Sequence, residues 1–209
     1  MAYVLGVVCA DGCLVEHGNG YHCLNITSKD LSWLQQIKGV LKAEQRIGSK
    51  RQAYQLQIRN QPLYRSLLDL GLTPRKSKTL QLPSVPPDVF PDFVRGYLDG
   101  DGTVLVWQDP RWQHPWQMRV AFISGSLMFL EKLRVQLQEL VGLSPGSLLT
   151  RPDASVLSYS IADSLKLYRW MYPDTDCLCL LRKRERFEKF LALKGVGKAE
   201  GLKTVLAEA

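Results

Sequence analysis

One pattern is written twice along this chain, and a duplication of that kind restricts the fold more than composition does, because each copy must build the same supersecondary unit. The first copy reads Tyr3-Val4-Leu5-Gly6-Val7-Val8-Cys9-Ala10-Asp11-Gly12 and the second Phe93-Val94-Arg95-Gly96-Tyr97-Leu98-Asp99-Gly100-Asp101-Gly102. Both are apolar helical runs that end in small-Asp-Gly. Strand-like stretches follow at 13–17 and 21–27 in the first copy and at 103–107 and 117–124 in the second. Asn19-Gly20 is a two-residue hairpin signal, whereas the second copy spans the same place with a longer loop, 108–115, rich in Pro and Trp. Amphipathic helices are expected at 31–42 and 127–141, where apolar residues recur at three and four, with Asp30 as N-cap of the first. Two further strand-like runs, one of them 54–59, and a helix at 62–70 or 164–172 complete each copy.

The expected fold class is therefore α+β, with two pseudo-symmetric αββαββα halves, each an antiparallel sheet carrying its helices on one side. A length of 209 residues accommodates two half-size units sharing an interface. Residues 1–78 form the first half and 92–193 the second. Between them, residues 79–91 contain Pro83, Pro86, Pro87 and Pro91, which favour an extended, stiff connector. Residues 194–209 form a tail with early glycines and a short helical pattern.

Composition excludes several classes. With 45% hydrophobic and 22% charged residues the chain reads as an ordinary packed protein. No run approaches the roughly 18 apolar residues of a membrane span, and the opening segment has neither a basic n-region nor a cleavage site, so neither membrane anchor nor secretion is expected. Five cysteines, an odd number without CxxC spacing, fit a reducing interior, prokaryotic cytoplasm or organelle matrix alike. Cys9 and Cys13 could meet on a helix, but tetrahedral zinc sites come as pairs of ligand pairs, and the chain has only His17, His22 and His114 to add. The net charge of +7 suits a phosphate-rich partner, although solvated lysines explain many basic proteins equally.

The chemistry concentrates at the repeated aspartates. Asp11 and Asp101 each close an apolar helix, where the helix dipole is negative and a carboxylate is unfavourable without a compensating cation. Mg²⁺ meets that need, since it is held by one or two carboxylates with water and substrate phosphate completing its shell. A helix exit followed by a turn explains one Asp-Gly well. Two copies, each between helix and strand, favour a shared role. Gly6 and Gly96 stand at equivalent places in the two helices, where glycine costs roughly 1 kcal/mol against alanine unless close backbone approach requires it. Packing through these glycines would bring both aspartates together near the pseudo-twofold axis.

The sheets supply a second candidate surface. In 54–59, Tyr54, Leu56 and Ile58 should face the helices, leaving Gln55, Gln57 and Arg59 outward; in the second half Trp116, Met118, Val120 and Phe122 should turn inward and Gln117 and Arg119 outward. Such faces often only solvate a sheet, yet Gln and Arg are also the side chains that make bidentate contacts with adenine and guanine edges in the major groove. Other two-aspartate explanations fail: Asp99-Gly100-Asp101-Gly102-Thr103 opens like a calcium loop, but Val104 stands where the glycine belongs and Pro110 where the bidentate Glu belongs. An intact intein is not expected from these termini, and no nucleophile elbow surrounds a serine or cysteine.

The two segments resemble the LAGLIDADG homing endonucleases in their single-chain, two-motif form, over residues 3 to about 193. GYLDGDGT is a close match; LGVVCADG departs with Cys9 where the family name has its first Asp, while the final metal-binding Asp is present in both. Gly71-Leu72-Thr73-Pro74-Arg75-Lys76-Ser77 and Leu180-Leu181-Arg182-Lys183 also look like the family. The resemblance implies paired motif helices at the interface, two saddle-shaped sheets over double-stranded DNA, and a monomer that hydrolyses both strands across the minor groove at a long asymmetric site. Asp11 and Asp101 would bind Mg²⁺ or Mn²⁺, with the carbonyls of Ala10 and Gly100 as further ligands. Lys76 and Lys183 would polarise water or the scissile phosphate. Asn25, Gln55, Gln57, Arg59, Gln117 and Arg119 would contact DNA. An RNA maturase acting on intron RNA, or a DNA-binding regulator that does not cut, are the other readings this fold allows.

Overall fold

The computed structural model describes residues 1–18, 20–112 and 115–195. Asn19 of the expected turn, Gln113 and His114 of the Trp-rich loop and the tail from 196 lie outside the described residues. The first half runs α1 (Ala2–Ala10), β1 (Gly12–His17), β2 (Tyr21–Ser28), α2 (Leu31–Val40), β3 (Ile47–Lys50), β4 (Ala53–Ile58) and α3 (Gln61–Asp69). The second repeats the order with α4 (Phe90–Asp101), β5 (Gly102–Gln108), β6 (Trp116–Ser124), α5 (Leu127–Val141), β7 (Ser147–Leu149), β8 (Ser155–Tyr159) and α6 (Ile161–Met171). Each half is thus αββαββα, with a four-stranded antiparallel sheet ordered β1-β2-β4-β3 or β5-β6-β8-β7. Among the described residues no helix is long and apolar enough to cross a membrane.

Strand alternation decides the faces. Leu24, Ile26, Leu56 and Ile58 are buried beneath the first sheet, and Met118, Val120, Phe122 and Leu157 beneath the second. The intervening residues point away from the helices, which places Asn25, Gln55, Gln57 and Arg59 on one outward face and Gln117 and Arg119 on the other. Trp116, expected to be inward, is only half-buried against the core because it sits at the far end of β6.

Contact between α1 and α4 joins the halves. Their glycines face each other so closely that a Cβ on Gly6 would stand 2.0 Å from the Phe93 carbonyl oxygen, and one on Gly96 would stand 2.0 Å from that of Tyr3. The two helices therefore touch backbone to backbone, which only glycine permits. Around this contact, Trp33 Nε1 donates to Tyr3 Oη at 2.6 Å, and Tyr3 Oη donates to Asp99 Oδ2 at 2.7 Å, so a hydrogen-bond chain crosses from one half to the other. Buried Arg95 is satisfied by the Leu178 and Met171 carbonyls and by Asp92, and lies over the rings of Tyr3 and Tyr172.

Four local expectations need correction. Pro91 does not belong to the connector; it occupies the first turn of α4, where its missing N–H has no partner to lose, so the connector ends at Val89. Asp30 holds the N-cap position of α2 without capping it, because its carboxylate accepts from Arg182 Nε at 3.2 Å. The first amphipathic helix stops at Val40, and Lys42 takes the left-handed conformation with φ 48°. Finally, the second half carries an additional helix, α7 (Leu181–Leu193), whose counterpart in the first half is a single turn of 3-10 helix, Lys76–Lys78.

Gly6→Ala and Gly96→Ala are expected to lower stability by roughly 3 kcal/mol or prevent folding, since the added carbon meets backbone rather than a movable side chain. Gly39→Ala is the matched control in α2: nothing lies within 4 Å of its Cβ position, so this variant should gain about 0.5–1 kcal/mol. Urea denaturation of the three variants beside the wild type measures both effects.

Candidate active site

Each motif helix ends at its aspartate for a local reason. Asp11 is the C-cap of α1, its N–H donating to the Val7 carbonyl at 2.8 Å, and Gly12 starts β1 at once. Asp101 is the last residue of α4, and Gly102 turns into β5 with extended backbone. Because the helices meet at Gly6 and Gly96, their C-terminal ends emerge side by side. A Cβ on Gly100 would lie 2.4 Å from Ala10 Cβ and 3.3 Å from Asp11 Oδ2, so the first aspartate rests over the second motif. The expected union of Asp11, Ala10, Gly100 and Asp101 is what the backbone contact produces.

The electrostatics show two carboxylates in tension. Both keep a solvent-facing side, but crowding by protein pushes the Asp11 carboxyl up to about 6, and the neighbouring Asp101 charge pushes the same way against Lys183, Lys76 and Arg182. Burial also raises Asp101, opposed by Lys76 and Lys183. The deeply buried Asp99 is raised to about 6 by its burial; its Oδ2 accepts from Tyr3 Oη and from the Leu180 N–H at 2.7 Å, while Oδ1 has no hydrogen-bond partner.

Lys76 and Lys183 are 7% and 6% exposed, which separates them from a solvated basic cluster. Lys183 Nζ donates to the carbonyls of Leu98 and Asp99 at 2.7 Å, Gly100 at 3.0 Å and Gly102 at 2.7 Å. Three of these carbonyls lie in the last turn of α4 and the fourth opens β5, so the ammonium offsets the negative helix end where the aspartates stand. Lys76 Nζ donates to the Gly12 carbonyl, and Arg75 before it takes the left-handed conformation at φ 59°, a strained turn that costs roughly 1 kcal/mol and directs the lysine inward. Burial lowers both lysines, Lys183 to about 8.

Two carboxylates and nearby backbone carbonyls are hard oxygen donors, a set that would fit a divalent cation such as Mg²⁺ with water and phosphate completing its shell. The Gly100 carbonyl already accepts from Lys183, so any coordination there uses its remaining lone pair.

Further residues belong to this place that sequence reasoning missed. A cavity of about 360 Å³ runs along the free edge of β5, lined by Gly100, Gly102, Leu105, Arg182, Lys183 and Arg186. Arg182 and Arg186, four apart on α7, are both exposed beside it. Only the helical spacing of those arginines could have indicated this groove, and α7 was not anticipated. On the outward sheet faces, Arg59 stacks over Tyr21 at 4.6 Å and Arg119 over Trp107 at 5.6 Å, while Gln57 Nε2 donates to Cys23 Sγ at 3.3 Å.

The fold, two αββαββα halves joined through paired helices, is one shared with solved LAGLIDADG homing endonucleases. The chain is similar to I-LtrWI, a LAGLIDADG homing endonuclease solved bound to target DNA, with a TM-score of 0.60 and 13% identity over 99% of this chain and 95% of that one. It is similar also to the LAGLIDADG meganuclease I-AabMI bound to uncleaved DNA (TM-score 0.62, 16% identity, 97% and 95% covered) and to I-SmaMI bound to cleaved DNA (TM-score 0.61, 13% identity, 99% and 94% covered). No family model matches the sequence, and no curated protein matches it. At these identities the likeness is one of fold.

The raised Asp11 carboxyl has a stability consequence with a definite sign. Its folded value of about 6 lies above the ordinary 3.8, so its contribution is complete below the ordinary value and is lost as pH rises through 6. Metal-free protein should therefore lose stability between about pH 4 and 6, Asp99 acting in the same direction. Asp11→Asn should flatten part of that slope and be more stable than wild type at pH 7 by about 1 kcal/mol, discounted for the carboxylate's open side. Thermal melts in chelator across that pH range measure it.

Proposed function

We propose that this chain is a divalent-metal-dependent, site-specific endonuclease of double-stranded DNA, acting as a monomer at a long asymmetric site. The observation that carries the reading is the meeting of Asp11 with Gly100 at the ends of two helices locked by Gly6 and Gly96, which builds one acidic centre from both halves. Asp11 and Asp101 would hold the divalent ion, with the carbonyls of Ala10 and Gly100 available beside them. A divalent cation there supplies charge stabilisation for the attacking water and the leaving oxygen of an in-line phosphodiester displacement.

The chain's own residues prepare that chemistry. The carboxylates stand at the surface of a protein with net charge +7, where a duplex can approach and deliver its phosphate. Lys183 and Lys76 act as positioning residues: their ammonium groups hold the carbonyls that end α4 and begin β1 and supply the positive charge that keeps two nearby carboxylates ionised. Arg182 and Arg186 line the route between β5 and α7 as phosphate contacts. Outward Asn25, Gln55, Gln57 and Arg59 on one sheet and Gln117 and Arg119 on the other read bases, and their difference makes the two half-sites unlike.

Incubation of a randomised duplex library with Mg²⁺ should yield one related set of cut sites, and Ca²⁺ should support retention of the same duplexes uncut. Asp11→Asn and Asp101→Asn should each reduce cleavage on the order of a thousandfold or more. Binding in Ca²⁺ should stay within about threefold, because phosphate and base contacts lie elsewhere. Retention without cutting by wild type would instead indicate a DNA-binding regulator, and neither cutting nor retention would turn attention to structured intron RNA.

A further inference from the structure

The two sheets are built in one register and differ in chemistry over part of their outward faces. Gly12 pairs with Ile26 as Gly102 pairs with Phe122, and Asn25 pairs with Gln57 as Ala121 pairs with Ser158, so positions correspond strand by strand. One outward row of the first sheet is Thr27, Gln55 and Gly48. The same row of the second sheet is Ile123, Val156 and Leu149. In the next row Asn25 and Gln57 correspond to Ala121 and Ser158. Farther along β5 the outward residues are Leu105 and Trp107, and Leu105 and Leu149 are each 48% exposed.

Large apolar side chains on an open sheet face mark a surface that something covers. Two observations indicate a duplex. The apolar strand is continuous with the acidic centre, since β5 begins directly after Asp101, and Leu105 on it lines the groove that also holds Arg182 and Arg186. Basic groups frame the face, with Arg119 lying over Trp107. A polyanion that offers apolar groups inside a groove is DNA with thymine, whose C5-methyl projects into the major groove. Outward residues step by about 7 Å along a strand, roughly two base pairs.

We propose that the second sheet, beside Gln117 and Arg119, reads its half-site through thymine C5-methyl groups contacted by Leu105, Trp107, Ile123, Val156 and Leu149, whereas the first sheet reads hydrogen-bonding base edges through Asn25, Gln55 and Gln57. The proposal rests on the endonuclease reading and assigns its sequence preference by half.

The test uses duplexes recovered from the randomised library in Ca²⁺, with deoxyuridine replacing thymidine one position at a time, which removes the methyl and leaves pairing unchanged. In one half-site each replacement at a contacted position should weaken binding about three- to fourfold, the value of one buried apolar carbon; in the other half-site thymidine and deoxyuridine should bind alike. Leu105→Asn, at an exposed position that folding does not require, should abolish the difference at one position. A selected site without thymines in either half, or equal binding of every deoxyuridine duplex, would overturn the proposal while leaving the nuclease reading intact. So would a Leu105→Asn variant that leaves every difference unchanged but converts a dimer to a monomer in sedimentation, since a second copy of the chain would then cover the face. Failure to retain any duplex would overturn both.

Discussion

Everything in this molecule hangs on a contact between two backbones. Gly6 of α1 and Gly96 of α4 leave no room for a side chain between the helices, and this proximity sets the distance between the halves. Moving the helices apart by the width of one methyl group would separate the aspartates at their ends and break the Trp33–Tyr3–Asp99 chain that crosses the interface. The acidic centre is thus a property of the pairing, and neither half holds it alone.

The centre concentrates negative charge at two helix ends, and the fold answers with buried positive charge. Lys183 covers four carbonyls of α4 and β5, while Lys76 covers the Gly12 carbonyl. Pseudo-symmetry breaks here. Asp99 holds the Leu180 N–H and so anchors the start of α7, but its counterpart Cys9 is a buried thiol raised to about 12 by its surroundings. The half with the aspartate has a full helix behind its lysine; the half with the cysteine has one 3-10 turn.

Much of this was legible in the sequence because duplication and alternation leave strong periodic signals. The repeat located both motif helices, the paired glycines foretold their close approach, and period-two patterning separated Leu56 and Ile58 from Gln55 and Gln57. What escaped depended on three-dimensional partners. Asp30 looks like an N-cap, yet Arg182 from the far half takes its carboxylate. Pro91 reads as a breaker until its place in a first turn is known. Lys76 and Lys183 sit in basic runs that resemble solvated surface, and only the fold turns them inward against carbonyls. The apolar outward face of the second sheet was hidden by the same alternation, since Leu105 and Trp107 read as ordinary strand residues until register placed them opposite Arg119 and Gln117.

The most direct measurement is the count and affinity of Mn²⁺ bound to the protein–duplex complex, followed by electron paramagnetic resonance in wild type, Asp11→Asn and Asp101→Asn. If the paired helices build one shared centre, either substitution should weaken every tightly held ion, by about tenfold or more. A substitution that removes one ion and leaves the other with unchanged affinity would mean two independent sites, and would contradict the shared centre.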